Sequence, residues 1–229
     1  MQAHTLTTPE PDETLLASLT LGPTPYAVRL VNRRHPDFRR TECYVQEQFL
    51  KAYGARPQLN VATFLVLVDP AGETLAAVGL RNARGEALFL EQYLDDAVEA
   101  EIRSRHSVVV ARENIIEIAH LASSKRGMSR FLFVAMTALL SHWQYQWIAF
   151  TGTRAIRHIF DSLNMRPVTL DIADPARLPD AGRSWGRYYE QAPMVMAGEI
   201  AGGHQTLVAT RTYEMLNLQL HEGEAHAVA

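Results

Sequence analysis

The apolar positions of this chain switch between a period of two and a period near 3.6, and the switches mark its elements. Tyr26–Val31 alternates apolar and polar side chains and reads as a half-buried strand. From Pro36 and Asp37 the period lengthens. Phe38, Thr41, Tyr44, Val45, Gln48, Phe49 and Ala52 then share one helical face, and Gly54 ends the helix. Val61–Val68 and Leu75–Arg81 are apolar strands on either side of the turn from Asp69 to Gly72, which predicts a hairpin. Leu88–Leu94 (LFLEQYL) is apolar with Glu91 and Gln92 embedded, and Asp95–Arg105 predicts a charged, exposed helix.

The second half continues with a strand at Ile115–Ala122, a basic turn at Ser123–Ser129 and a long apolar helix at Arg130–Trp143. Trp147–Thr151 is another buried strand, Arg154–Leu163 a short amphipathic helix, and Val168–Ile172 and Pro193–Ala197 are closing strands. Between the last two lies a loop holding Trp185, Gly186, Tyr188 and Tyr189. From Ala201 a last helix is expected, with Leu207, Leu216, Leu218 and Leu220 as its apolar residues and a frayed end. This order predicts residues 1–24 as a flexible lead-in, 25–200 as one domain, and 201–229 as a C-terminal helix and tail. The early hairpin interrupts strand–helix alternation. The fold class is therefore a mixed α/β (α+β) fold with a central, mostly antiparallel sheet flanked by helices.

Composition narrows the function classes. The chain has 229 residues, 47% hydrophobic and 21% charged, enough for an ordinary buried core. A net charge of −3 gives nucleic-acid binding no support. The single cysteine, Cys43, excludes an internal disulfide framework and a cysteine-based zinc cluster. It lies within an apolar helical pattern, which predicts buried packing. The histidines lie apart, with no metal-ligand spacing, so no metal is expected. The N-terminus carries acids and prolines where a signal peptide needs a basic start, and no run approaches the roughly 20 apolar residues that span a bilayer. A cytoplasmic protein with no membrane span is expected.

Candidate chemistry gathers around Glu113–Leu140. A strand, a basic turn and a helix point free backbone N–H groups and the positive helix end at whatever sits above the turn. Gly127 permits close approach, Ser123, Ser124 and Ser129 can donate hydrogen bonds, and Lys125 and Arg126 add charge. An ordinary turn with capping serines is the plainer reading. The turn is neither GxxxxGK[ST] nor GxGxxG, which disfavours nucleoside triphosphates and dinucleotides. Glu117 lies on an apolar strand and is expected to be either ion-paired, with Arg81 as the nearest candidate, or a base for an amine. His120, three residues on, falls on the opposite face unless a bulge intervenes. Arg81 can clamp a carboxylate or phosphate. Glu91 is either a plain polar position or a recogniser of an acceptor amine. Trp185, Tyr188 and Tyr189 are core cover or a lid, with Tyr188 a candidate donor to a leaving thiolate.

The segment LASSKRGMSRFLF resembles the acyl-CoA turn of the GNAT acyltransferases, in which Gln/Arg-x-x-Gly-x-Gly/Ala cradles the CoA pyrophosphate. Ser124 stands at the Gln/Arg position, Gly127 matches the first glycine, and Ser129 replaces the last. A longer resemblance spans about residues 26–200. The stretches AAVGLRNA, ALFLEQYLDDAVE, IIEIAHLASS, WIAFTGTRAIRHIFDSL and WGRYYEQAPMVMAGEI are similar to the thermostable hemolysin family, whose architecture is GNAT-like and related to the acyl-homoserine-lactone autoinducer synthases. Arg81 and Glu117 match charged positions of those synthases, whereas His120 stands where they carry a second arginine. Homoserine-lactone chemistry itself is therefore not implied.

The resemblance implies an acyltransferase that moves an acyl group from acyl-CoA or an acyl-phosphopantetheine carrier protein to a small-molecule amine, with no permanently bound cofactor. The acyl carrier protein would be a partner if it is the donor. The implied catalytic residues are Glu117, His120 and Tyr188, and the implied substrate-binding residues are Arg81, Glu91 and Trp185. The donor would lie on Leu121, Ala122, Ser123, Lys125, Arg126, Gly127, Met128 and Ser129. Two other classes remain open: a non-catalytic sensor of acyl-CoA or acyl carrier, and a membrane-active hemolysin. The sequence shows neither a long basic amphipathic stripe nor amphipathic hairpins for the latter.

Overall fold

The computed structural model describes residues 14–221. In chain order the elements are β1 (Leu15–Leu21), β2 (Thr24–Asn32), α1 (Phe38–Tyr53), β3 (Thr63–Val68), β4 (Thr74–Asn82), α2 (Val98–His106), β5 (Ile115–Ser123) and α3 (Met128–His142). They are followed by β6 (Trp147–Gly152), α4 (Arg154–Ser162), β7 (Val168–Ile172), β8 (Met194–Glu199), α5 (Ile200–Ala209), α6 (Thr212–Met215) and β9 (Gln219–Leu220). The nine strands of the described residues form one sheet in the order β7-β8-β6-β5-β4-β3-β2-β1-β9. Every neighbouring pair is antiparallel except β5 and β6, which run parallel. The expected mixed, mostly antiparallel sheet flanked by helices is what forms.

The sheet is covered on both faces, and this explains why β3 is apolar at every position and buried throughout. On one face Val45 and Phe49 of α1 pack with Phe64 and Val66. On the other, Leu132, Phe133 and Met136 of α3 pack with Leu65 and Leu67. Helix α3 buries nine of its residues, so it is apolar nearly all round and behaves as a core helix. No helix among the described residues is long and apolar enough to cross a membrane.

Several expectations need correction. Residues 1–13 of the expected lead-in lie outside the described residues, but Leu15–Leu21 is a strand paired with β2. Its LLASLTL pattern places Leu16, Ala17 and Leu19 in the core. Cys43 is exposed, not buried. The buried stripe of α1 is Phe38, Thr41, Val45 and Phe49, and Cys43 falls about 200° round the helix from Thr41. The LFLEQYL block, to which no element was assigned, is a 3-10 turn at Phe89–Tyr93. Helix α2 starts only at Val98, and Val98 and Ile102 anchor it in the core. The tail divides into α5, α6 and β9, and residues 222–229, where fraying was expected, lie outside the described residues.

Candidate active site

The site is built where two strands part. β5 and β6 pair in parallel from Ile115↔Trp147 to Ile118↔Phe150 and no further. Beyond that point Ala122 and Ser123 stay with β4, while Thr151 and Gly152 stay with β8. The cause is visible in the β4–β5 register, where Ala77 faces Ala122 and Gly79 faces Ala119. Two steps along β4 are matched by three along β5, which leaves one extra residue in β5. That is a β-bulge. His120 absorbs it with φ 53°, a left-handed conformation that is uncommon outside glycine.

The bulge brings Glu117 and His120 onto one cleft, which encloses about 760 Å³ of space partly open to solvent. Arg81, Leu121, Trp185 and Tyr188 line it too, so six of the expected site residues meet there. Phe49, Tyr53, Phe89, Tyr93 and Phe133 are also part of the wall, none of them foreseen. Phe49 and Tyr53 were legible in principle as adjacent turns of one helix face pointing at the sheet.

Glu117 is 3% exposed, and its carboxylate is fully engaged. Oε1 accepts from the Leu90 N–H at 2.9 Å, and Oε2 accepts from the Phe89 N–H and from Arg81 Nη1, both at 3.2 Å. Burial pushes the carboxyl up from its ordinary range, while Arg81 and the two backbone donors pull it back. The group therefore acts first as a pin that fixes the Phe89–Tyr93 turn and Arg81 to the sheet.

His120 has the opposite character. Its Nδ1 is buried and has no hydrogen-bond partner among the described residues. Its ring stacks on Trp185, with centroids 5.8 Å apart and planes 8° apart, and meets the Phe49 edge at 6.0 Å. Burial pushes its pKa down to about 4, with Arg81 contributing in the same direction. It is a neutral imidazole at pH 7 whose buried Nδ1 is free to accept or donate.

The aromatic loop closes over this pair. Tyr188 donates to the Thr151 carbonyl at 3.3 Å, and burial raises its phenol far above the usual range. Tyr93 and Tyr189 share a 2.6 Å hydrogen bond across the loop. The loop is fastened to the end of α1 by Arg187 N–H donating to the Tyr53 carbonyl at 2.9 Å. Gly186 makes this possible. Its φ is 56°, and an added Cβ would meet the Tyr53 carbonyl oxygen at 2.3 Å. Gly186→Ala is expected to destabilise the protein by about 2 kcal/mol or more through combined strain and clash, read as a lowered denaturation midpoint at constant m-value. A change within 0.5 kcal/mol would show that the loop is not anchored this way.

Two expectations fall outside the cleft. Glu91 does not line it. Its carboxylate accepts from Arg112 at 2.7 and 2.8 Å and from the Leu88 and Val98 N–H groups. It tethers the loop around the Phe89–Tyr93 turn to α2, which leaves no lone pair suited to an acceptor amine. The turn Ser123–Ser129 lies beyond the end of β5, past Leu121. There Gly127, with φ 89°, caps α3, and Lys125 and Arg126 are exposed. Its serines hold the turn together. Ser129 Oγ donates to Ser123 Oγ at 2.9 Å, and the Ser124 N–H and Oγ both donate to the Leu75 carbonyl. Ala122 and Met128 bury their side chains in the core and can offer a ligand only backbone.

Residues 31–204 match the thermostable hemolysin family. No curated protein matches the chain. Among solved structures, the chain is similar to a CoA-dependent acyl-homoserine lactone synthase, BjaI, with SAM and isopentyl-CoA, at 10% identity and a TM-score of 0.56, covering 85% of this chain and 92% of that one. It is similar to FeeM, an N-acyl amino acid synthase from uncultured soil microbes, at 12% identity and TM-score 0.54, covering 82% and 98%. A third is an insect arylalkylamine N-acetyltransferase 7 from the yellow fever mosquito, at 12% identity and TM-score 0.53, covering 87% and 100%. At these identities the likeness is one of fold.

Proposed function

This chain belongs to the thermostable hemolysin family, and from that starting point we propose that it is an acyltransferase that moves an acyl group from a phosphopantetheine thioester, acyl-CoA or acyl carrier protein, to a small-molecule amine. The observation that carries the reading is the parting of β5 and β6 at the His120 bulge. It opens a slot beside unpaired backbone, with the Gly127-capped turn at its outer end. A pantetheine arm suits the slot, and its phosphate suits the backbone N–H groups and the basic side chains of the turn.

The residues divide the work as follows. The amine nitrogen attacks the thioester carbon, a C–N bond forms, and backbone N–H groups of Ala119–Leu121 stabilise the oxyanion. The nitrogen becomes acidic as the bond forms, and His120 Nδ1 takes its proton. The C–S bond then breaks, and His120, a weak base, passes the proton to the departing thiolate. Tyr188, whose O–H donates to the Thr151 carbonyl, serves as a hydrogen-bond donor near the departing sulfur. Glu117 positions Arg81 and the Phe89–Tyr93 turn, and the remaining donors of Arg81 suit a carboxylate or phosphate of a substrate.

Incubation with acyl-CoA and an amine panel tests this. Native mass spectrometry is expected to find bound acyl-CoA, and thiol release is expected to depend on amine. Binding without thiol release under any amine would favour a sensor. Failure to bind any pantetheine compound, together with leakage of liposomes by pure protein, would replace the reading with a membrane-active one.

A further inference from the structure

A second cavity lies behind the sheet, between α3, β6, β8 and α5, with about 880 Å³ of space partly open to solvent. It continues the line of the active-site cleft. On β6 the cleft is lined by Phe150 and the second cavity by Ile148, two residues back on the same face. On α3 the cleft is lined by Phe133 and the second cavity by Met136, Thr137 and Leu140, at the i+3, i+4 and i+7 positions of the same face. Phe160 of α4 lines the second cavity and packs against two residues of the cleft wall. Phe160 stacks on Phe150 with centroids 4.8 Å apart and meets Phe133 edge-on at 5.0 Å. Beyond this ring, Gly198, Gly202 and Gly203 leave the far wall low.

We propose that the second cavity is the distal half of an apolar channel for the donor's linear acyl chain, and that Phe160 sets the chain length accepted. The proposal rests on the acyl-transfer reading of the cleft. The apolar side chains that continue from the reaction point along one helix face and one strand face suit a saturated chain, and His106, Asn164, Arg166 and Glu199 add polar groups to the lining of the second cavity. Each methylene moved into it from water is worth about fourfold in affinity. With Phe160 in place the passage is blocked at the aromatic trio, and a long chain must displace this ring.

Octanoyl-, dodecanoyl- and palmitoyl-CoA distinguish the outcomes. Phe160→Ala is expected to raise the palmitoyl-to-octanoyl ratio of kcat/KM by about tenfold or more, the gain of a few buried methylenes. Gly203→Leu is expected to act in reverse, depressing palmitoyl-CoA while sparing octanoyl-CoA. A Cβ at Gly203 stands 3.5 Å from Met165 and 3.7 Å from Thr137, so the bulk enters the second cavity without a backbone clash. A binding readout does not depend on turnover. Trp147 lines the second cavity, so palmitoyl-CoA brominated at its terminal carbon is expected to quench wild-type fluorescence more than it quenches Trp147→Phe. Terminally brominated octanoyl-CoA is expected to show no such difference. Palmitoyl-CoA that binds without quenching Trp147, with unchanged ratios in both variants, overturns the channel and leaves acyl transfer standing. If no acyl-CoA binds at all, both fall.

Discussion

Replacing His120 with Gln is expected to slow acyl transfer by roughly 10²- to 10⁴-fold while leaving acyl-donor affinity nearly unchanged. Nδ1 of the imidazole is a buried polar atom without a partner among the described residues, and the bulge that holds it there is locally strained. Gln preserves polarity and approximate size but cannot carry a proton. Equal losses in binding and turnover would mean that the ring merely packs against Trp185. The same variant has a second signature. Folded His120 titrates near 4, against 6.5 as a free side chain. Between those values the unfolded chain binds more protons, so stability rises with pH across the window. Its contribution is fully present above 6.5 and is lost as the pH falls towards 4, amounting to roughly 3 kcal/mol at most. Denaturation midpoints measured from pH 7 down to 4 should fall less steeply in His120→Gln than in the wild type. Parallel curves would contradict a buried neutral histidine.

Glu117→Leu is expected to destabilise the fold by about 3–5 kcal/mol, because it strands Arg81 and two backbone donors in a buried place. For a chain of this size that corresponds to a fall in Tm of roughly 6–20 °C. The double variant Arg81→Met/Glu117→Leu should recover part of the loss by removing the orphaned charge. The recovery should be incomplete, since the Phe89 and Leu90 N–H groups stay unsatisfied. Strict additivity of the two substitutions would show that no coupling exists. Activity in Glu117→Leu should fall together with structure around the turn, as a positioning role requires.

Much of the fold was legible because the periodicity of the chain is clean. β3 and β6 are apolar at nearly every position, which a sheet covered on both faces demands, and α3 is apolar nearly all round because it is a core helix. The errors arose where a short pattern met a tertiary partner. LLASLTL was read as part of a lead-in because threonines and prolines surround it, yet it gains a neighbour in β2. LFLEQYL showed only an apolar run with Glu91 and Gln92 embedded, whereas the Glu117 carboxylate captures two of its N–H groups and holds it in a 3-10 turn. In the site, residue types could nominate Glu117, His120 and Arg81, and strand periodicity alone set His120 on the wrong face. A bulge is a count of residues between two strands, and one strand's sequence does not contain it. Glu91 misled for a related reason, since its partner Arg112 lies 21 positions away.

The edge pairing of β1 has a consequence for the order in which the molecule can be completed. β1 leaves a ribosome long before β9 does, yet its outer edge is closed by β9, with His221 reaching Ser18 across a separation of 203 residues. Until that late segment emerges, the nascent sheet presents an open strand to any neighbour able to pair with it. The closing piece is a strand of only two residues, both exposed. It therefore opens at small energetic expense, and the rim of the sheet exchanges its amide protons long before the interior does.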